Sequence, residues 1–383
     1  MKNTKASVLY KAIKKSHLLS RAGYLKQEKE MAIKNNVRCS VLVTGGTGSF
    51  GKRLIARLVQ DNKIKKIVVF SRDELKQFHL RLTYPEKKYP QLRFQIGDVR
   101  DRERLYRAFD GIDLVIHAAA LKQVPAAENN PLEAIKTNVL GAANLIDAAI
   151  DRNVAKVLAL STDKAANPVN LYGATKLCSD KLFTAANAYS GAHRTLFSVV
   201  RYGNVVGSRG SVIPYFLAQK KSGVLTVTDE RMTRFMITLE RAVSFVQECV
   251  ARMQGGEIFV PKIPSTRVLD LAKVIAPECR RKIVGIRPGE KLHEAMIGED
   301  DARLTMEYRN HYVIRPSHGN WNPHTYAVKG GHPCRDGFRY TSDTNREWLT
   351  EDEIRSLVQK VEKDMEAEPE PPQVGEPAIF SGH

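Results

Sequence analysis

A glycine-rich octapeptide constrains this chain more than any other feature. The apolar run Cys39-Ser40-Val41-Leu42-Val43 passes directly into Thr44-Gly45-Gly46-Thr47-Gly48-Ser49-Phe50-Gly51. A short apolar run that ends in glycines reads as a strand buried on both faces of a parallel sheet. Glycines at 45, 48 and 51 permit a tight turn and let the backbone approach a pyrophosphate. The helix that follows, placed from about Gly51 to Gln60, would offer that anion free N–H groups and the positive end of its dipole. A ligand-free glycine turn is the alternative. The position at the first strand–helix junction of a longer series argues against it.

That series continues. Lys66-Ile67-Val68-Val69-Phe70, Arg93-Phe94-Gln95-Ile96-Gly97, Asp113-Leu114-Val115-Ile116-His117 and Lys156-Val157-Leu158-Ala159-Leu160 read as further strands, with a sixth from Leu196 to Arg201. A long helical pattern covers Leu132 to Ile150. Strands separated by helices of this length form βαβ units around a parallel sheet. The fold class is therefore α/β, a Rossmann-type doubly wound parallel sheet with a smaller C-terminal substrate-binding domain. After Gly207 the pattern loosens, and turns such as Pro261-Lys262-Ile263-Pro264 and Arg287-Pro288-Gly289 punctuate it.

The strand ends suggest a cofactor. An acidic residue at the end of the second strand receives the ribose hydroxyls of NAD, whereas a nearby arginine accommodates the 2′-phosphate of NADP. Here Ser71 stands at the strand end, Arg72 follows, and Lys76 lies four residues on. NADP is the preferred reading; the competing one makes Arg72 a surface charge and puts Asp73 on the ribose. Asp98, after the third strand, suits either an adenine amino group or a helix cap. His117-Ala118-Ala119-Ala120 closes the fourth strand with small residues that leave room for a dinucleotide, and His117 itself reads as a packed histidine.

The fifth strand ends in Ser161-Thr162-Asp163-Lys164. Carboxyl ends of strands form the ligand crevice of an open α/β sheet. An acid kept protonated beside a lysine able to be neutral could act at opposite ends of one substrate bond. A polar helix start capped by Asp163 is the plainer alternative. Tyr172-Gly173-Ala174-Thr175-Lys176 tips the balance. Tyr172 and Lys176 share one helical face, and an ammonium near the phenol would lower its pKa and make it a base.

Composition enters through charge. The formal net charge is +18, and residues 1–30 alone hold eight Lys/Arg against two Glu. Without a helix-turn-helix, zinc-finger or RNP pattern this reads as attraction of anionic small molecules rather than nucleic-acid binding. The five cysteines are scattered with no CxxC pair, so neither a metal site nor a disulfide framework is expected, and a cytoplasmic location fits. No apolar run is long enough to span a membrane. The division expected is a basic extension over 1–36, disordered and open to contact with anionic lipid, an NADP-binding Rossmann domain over 37–206, a mainly substrate-binding domain over 207–365 with segments returning to the first, and a disordered Pro/Glu-rich tail over 366–383.

These stretches resemble the C5-inverting UDP-N-acetylglucosamine 4,6-dehydratases of pseudaminic acid biosynthesis, within the extended short-chain dehydrogenase/reductase superfamily. The resemblance rests on TGGTGSFGK (44–52), SRDELKQ (71–77), HAAALKQVPAAE (117–128), STDKAANPVNLYGATKL (161–177), RYGNVVGSRGSVIP (201–214) and GIRPGEKLHE (285–294), and spans roughly residues 40–315. It implies bound NADP, UDP-GlcNAc as substrate and a homo-oligomer such as a hexamer. It implies Tyr172 as the base at the C4 hydroxyl, Lys164 as the base at C5 and Asp163 as the acid at the C6 hydroxyl. By the same resemblance Thr47, Gly48, Ser49 and Phe50 hold the pyrophosphate, with Gly45 and Gly51 shaping the turn. Ser71, Arg72 and Lys76 meet the 2′-phosphate, Asp98 and Val99 the adenine, and Ala118 lines the nucleotide. Lys122 lies near cofactor and substrate, and Lys176 holds the nicotinamide ribose. Asn204 and Val205 touch substrate, while Arg234, Arg287 and Glu290 hold the UDP portion. A retaining dehydratase or 4-epimerase is the nearest alternative. A non-catalytic NADP-sensing or nucleic-acid-binding protein is the alternative of another class.

Overall fold

A computed structural model describes residues 39–191, 195–208, 210–316 and 330–366. The expected extension over 1–36 lies outside the described residues. So does the expected tail, except that Glu366 ends a helix, Glu351–Glu366.

Six parallel strands make the centre: β1 (Cys39–Thr44), β2 (Ile64–Ser71), β3 (Leu92–Ile96), β4 (Leu114–His117), β5 (Lys156–Thr162) and β6 (Leu196–Tyr202). Their order across the sheet is β3-β2-β1-β4-β5-β6. Val41, Leu42, Val43, Val68, Val115, Val157 and Val200 are all buried, as continuous apolar strands covered on both faces must be. The winding direction reverses between β1 and β4, which opens a crevice beyond their carboxyl ends.

Register decides what reaches that crevice. β4 ends where His117 pairs with Ala159, while β5 and β6 run on together to the Thr162–Tyr202 pair. The extra length carries Ser161, Thr162 and the turn Asp163–Ala165 above the sheet.

Residues after 207 contribute to two bodies. Ile258–Pro261 adds in parallel to β6, and His311–Ile314 and Thr305–Glu307 extend the same sheet antiparallel. A second apolar cluster gathers Ile213, Phe216, Leu225, Leu271, Ile354 and Val358, where helices Val212–Lys220, Val268–Ile275 and Glu351–Glu366 meet.

The helix expected over Leu132–Ile150 is not regular. Its middle, Lys136–Leu140, is a π-turn between Pro131–Ile135 and Gly141–Asp151. Such turns mark functional sites more often than chance. Here the π-turn aims Asn138 inward, where its amide accepts from Leu121 N at 2.8 Å and donates to Leu121 O at 2.9 Å and to Thr175 Oγ1 at 3.0 Å. Hydropathy periodicity does not register one extra residue in a turn.

An ion network ties the sheet to the residues beyond it. Arg201 at the end of β6 reaches Asp180 at 3.3 Å, Asp301 at 3.4 Å and the carbonyl of Met296 at 3.0 Å. Asp180 also accepts from Ser161 Oγ at 2.8 Å. Breaking a buried ion pair leaves a charge uncompensated, so Arg201→Met should destabilise the fold by about 3–5 kcal/mol. Urea unfolding followed by circular dichroism checks this.

Candidate active site

The glycine loop opens the site. Gly45 has φ +64°, and a Cβ there would lie 2.9 Å from the backbone of Ala118 and Ala119. A Cβ on Gly51 would lie 2.6 Å from the Gly45 carbonyl. Only glycine lets β1, the turn and the strand end of β4 meet this closely. The helix Ser49–Leu58 begins at Gly48 with no side-chain cap and no acidic residue in its first turn. Its N–H groups and positive dipole end therefore face the crevice, and this cradle fits a pyrophosphate.

A cavity of about 830 Å³ lies over the loop. Gly45, Thr47, Gly48, Ser49, Phe50 and Gly51 form its floor, and Ser71, Arg72, Lys76, Asp98 and Val99 one end. Ala118, Lys122, Tyr172, Lys176, Asn204 and Val205 line the rest. A second cavity of about 570 Å³ is lined by Arg234, Arg287, Glu290 and Glu294. Lys164 and Asn204 line both, so the two spaces meet at the end of β5.

At the far end, Asp73 caps the helix Glu74–Thr83 through Lys76 N at 2.8 Å and pairs with the Lys76 ammonium. Asp98 is gripped by Arg100, with Nη2 at 2.7 Å, and meets Arg72 at 3.5 Å. Burial pushes the Asp98 pKa up, but the Arg100 hydrogen bonds and both guanidinium charges outweigh it and hold the carboxyl below its usual value. The cap of the next helix is Asp101, not Asp98. His117 is buried against Thr44 Oγ1 at 2.8 Å, and burial with the Lys176 charge drives its pKa to about 3, as a packed neutral histidine requires.

Where the two cavities meet lies a buried charge cluster. Lys164 Nζ lies 3.1 Å from Asp163 Oδ1, 3.1 Å from Glu294 Oε1 and 3.5 Å from Asn204 Oδ1. Asp163 is fully buried, and its Oδ2 has no hydrogen-bond partner among the described residues. Burial and the Glu294 charge raise its pKa over the opposing pull of Lys164. Lys164 rests as an ammonium. Burial alone favours the neutral amine, but the carboxylates of Asp163 and Glu294 outweigh it and hold the ammonium charged.

Tyr172 departs from expectation. Burial raises its phenol to about 12, and the cation opposing that rise is Lys164 rather than Lys176. Lys176 faces Asp180, one turn further along the helix Leu171–Tyr189, and burial lowers its own pKa. Sharing a helix face places two side chains side by side without deciding which charge each one meets.

Arg234 lines the second cavity, yet its guanidinium is committed to protein. It donates to Thr233 O at 2.7 Å, Leu292 O at 3.1 Å and Lys291 O at 3.0 Å, and approaches Glu290 at 3.4 Å. Arg287 stands exposed beside it. Glu294 is the site residue that sequence reasoning missed. Its signal was the GEKLHE end of the matched stretch, but nothing local shows it meeting Lys164, 130 residues away in sequence.

Gly173 explains the Tyr-Gly pair. A Cβ there would lie 2.2 Å from the Lys164 carbonyl, so the helix packs flush against the Asp163–Ala165 turn only with glycine at that position. Gly173→Ala should destabilise by about 1–3 kcal/mol and displace Lys164 from Tyr172. Thermal unfolding and turnover measured together check this, with turnover falling further than the unfolding loss explains.

Comparisons with known proteins give this chain its relatives. Residues 41–316 match the family described as polysaccharide biosynthesis protein. The UDP-N-acetylglucosamine 4,6-dehydratase (inverting) of Campylobacter jejuni serotype O:2 is 52% identical over 331 residues, covering 84% of this chain and 98% of the relative. A UDP-glucose 4-epimerase of Rickettsia canadensis is 40% identical over 327 residues, 83% of this chain and 95% of the relative. Among solved structures, Pen from Bacillus thuringiensis superposes with a TM-score of 0.77 at 36% identity, covering 85% of this chain and 98% of that one.

Proposed function

The chain belongs to the polysaccharide biosynthesis protein family, and we propose that within it the protein is a C5-inverting UDP-N-acetylglucosamine 4,6-dehydratase, a hydro-lyase. It would convert UDP-GlcNAc into UDP-2-acetamido-2,6-dideoxy-β-L-arabino-hexos-4-ulose, the first step of pseudaminic acid synthesis for surface or flagellin glycosylation. One observation carries this reading: a buried acid–lysine pair, Asp163 and Lys164, stands where the two cavities meet, beside Tyr172.

The fold and the glycine cradle belong to a nicotinamide-dinucleotide enzyme. NADP is supported over NAD by the strand end. Ser71 offers no carboxylate to a ribose diol, and Asp73 is spent on its helix cap and on Lys76. Arg72, half exposed at the cavity's end, and Lys76 would meet the 2′-phosphate. When bound, the dinucleotide supplies a hydride acceptor for C4 and a hydride donor for C6.

The chain's own residues manage the protons. As phenolate, the form that the nearby Lys164 charge favours, Tyr172 takes the proton of the C4 hydroxyl. The resulting ketone acidifies the hydrogen at C5. One proton moved from Lys164 to Asp163 across 3.1 Å turns ammonium and carboxylate into amine and acid with no change of net charge. Lys164 then removes the C5 proton, and Asp163 protonates the departing C6 hydroxyl. A proton from solvent reaches C5 from the opposite face, which inverts it. Arg287 and Glu290 hold the UDP portion, and Arg234 holds the segment that carries them.

The epimerase relative supports a second reading. A 4-epimerase, however, needs only a base at the C4 hydroxyl and leaves the Asp163–Lys164 pair without work. A homo-oligomer such as a hexamer is supported by an exposed apolar stripe, Leu75, Phe78 and Leu82, on the helix Glu74–Thr83. Among the described residues no helix is long and apolar enough to cross a membrane, and we place the enzyme in the cytoplasm with its nucleotide-sugar substrate.

NMR of UDP-GlcNAc incubated with the protein in deuterated buffer should show a 4-keto-6-deoxy product with deuterium at an inverted C5. UDP-GalNAc alone would favour the epimerase. Lys164→Ala should still oxidise C4 but stop elimination. Tyr172→Phe should lose at least about 10²-fold in turnover while retaining bound cofactor. Arg72→Ala should weaken NADP relative to NAD by about tenfold, read by fluorescence titration.

A further inference from the structure

Glu294 is the one member of the charge cluster to which no step above gives a role. It is buried at the wall of the second cavity, and its Oε2 has no hydrogen-bond partner among the described residues. Its Oε1 lies 3.1 Å from Lys164 Nζ and 3.7 Å from Arg234 Nε. The backbone beneath it is fixed. Glu294 N donates to Ser342 Oγ at 2.9 Å, and Ser342 N donates to the Glu294 carbonyl at 2.8 Å. Arg234 clamps the preceding residues through the carbonyls of Lys291 and Leu292. A carboxylate held this rigidly against a lysine is a built feature of the site.

We propose that Glu294 is a positioning residue for the elimination: it holds the Lys164 amine at the junction of the two cavities and remains the permanent anion while Asp163 carries the travelling proton. An ammonium has three donors, and the acceptors around Lys164 are Asp163, Glu294 and Asn204. Once a proton passes to Asp163, two N–H groups remain, and Glu294 and Asn204 are the acceptors that keep them. The third position, left by the proton given to Asp163, then carries the lone pair. The two carboxylates divide the work by environment. At Asp163 burial and the Glu294 charge outweigh the pull of Lys164, whereas Glu294 is drawn down by three cations, Lys164, Arg234 and Lys291. Those three charges outweigh the burial of Glu294 and keep it ionised. Environments that push two carboxyls apart assign the acid and the anion.

The groups facing Lys164 come from every neighbouring element. They are Asp163 on its own turn, Tyr172 on the helix Leu171–Tyr189, Arg234 on the strand Thr233–Ile237, and Lys291 and Glu294 on the segment before the strand Ala295–Ile297. Removing the Glu294 charge makes the pocket more positive, so the Asp163–Lys164 pair binds protons less tightly.

The role rests on Lys164 being the C5 base, and the experiment separates the two. The pH–rate profile of 4-keto product formation from UDP-GlcNAc is measured for the holoenzyme, E294Q and E294D. E294Q should lose turnover and move both limbs of the profile to lower pH, by about one unit or more. E294D keeps the charge one methylene further back and should move them the same way by less. Limbs that stay in place in E294Q, whatever its rate, overturn the role of Glu294. If E294Q does not fold, E294D decides alone, and lost turnover with unmoved limbs overturns the proposal. Wild-type protein that forms no 4-keto product would instead remove the dehydratase reading and Glu294's role with it.

Discussion

The structure turns on an ammonium group kept in a mostly buried place. Lys164 lies 3.1 Å from each of two carboxylates that are themselves almost wholly buried. Charge taken out of water is costly unless geometry and hydrogen bonding compensate it closely. That requirement reaches outward. Asp163 is delivered by the three-residue overhang of β5 and β6 beyond β4. Glu294 is delivered by a segment held by Ser342 and Arg234. Gly173 lets the helix bearing Tyr172 close against the Lys164 backbone. Each of these would be an odd expenditure of sequence in a fold that only had to pack.

The same centre divides the crevice into two spaces of different character. One follows the strand ends over an uncapped helix N-terminus and ends at Arg72 and Lys76. The other is bounded by Arg287, Glu290 and the clamped Arg234. Both suit anions, which gives part of the +18 charge a local purpose. A dinucleotide in the first space and a nucleotide-sugar in the second would place their reactive ends on either side of Lys164 and Tyr172.

Much of this was legible before any coordinates. Continuous apolar runs such as Val41-Leu42-Val43 cannot sit in a one-sided sheet, so a parallel sheet followed. The glycines at 45, 48 and 51 could be read because their function is local, within one turn and the first residues of one helix. Boundaries moved by a residue or two, as helix and strand ends do. The π-turn at Lys136–Leu140 was not legible, because one extra residue barely disturbs an apolar periodicity. Charge states were less legible, because burial and neighbours in space set them. The ammonium of Lys164 is held at rest by Asp163 beside it and by Glu294, 130 residues later, a contact with no local signal. Tyr172 was expected to feel Lys176, but burial and Lys164 set its pKa.

By itself, then, the sequence determined the fold class, the dinucleotide cradle and the presence of Asp163, Lys164, Tyr172 and Lys176 near one another, because all of these follow from short-range spacing and from the ends of strands. The tertiary structure alone decided which charge each of them faces. It brought Glu294 to Lys164, set Lys176 within the field of Asp180 and engaged Arg234 with the carbonyls of Thr233, Lys291 and Leu292. The reason is physical. Backbone conformation is set by neighbours along the chain, whereas the pKa of a buried group is set by charges a few ångströms away in space, and the chain path that delivers them leaves no local trace.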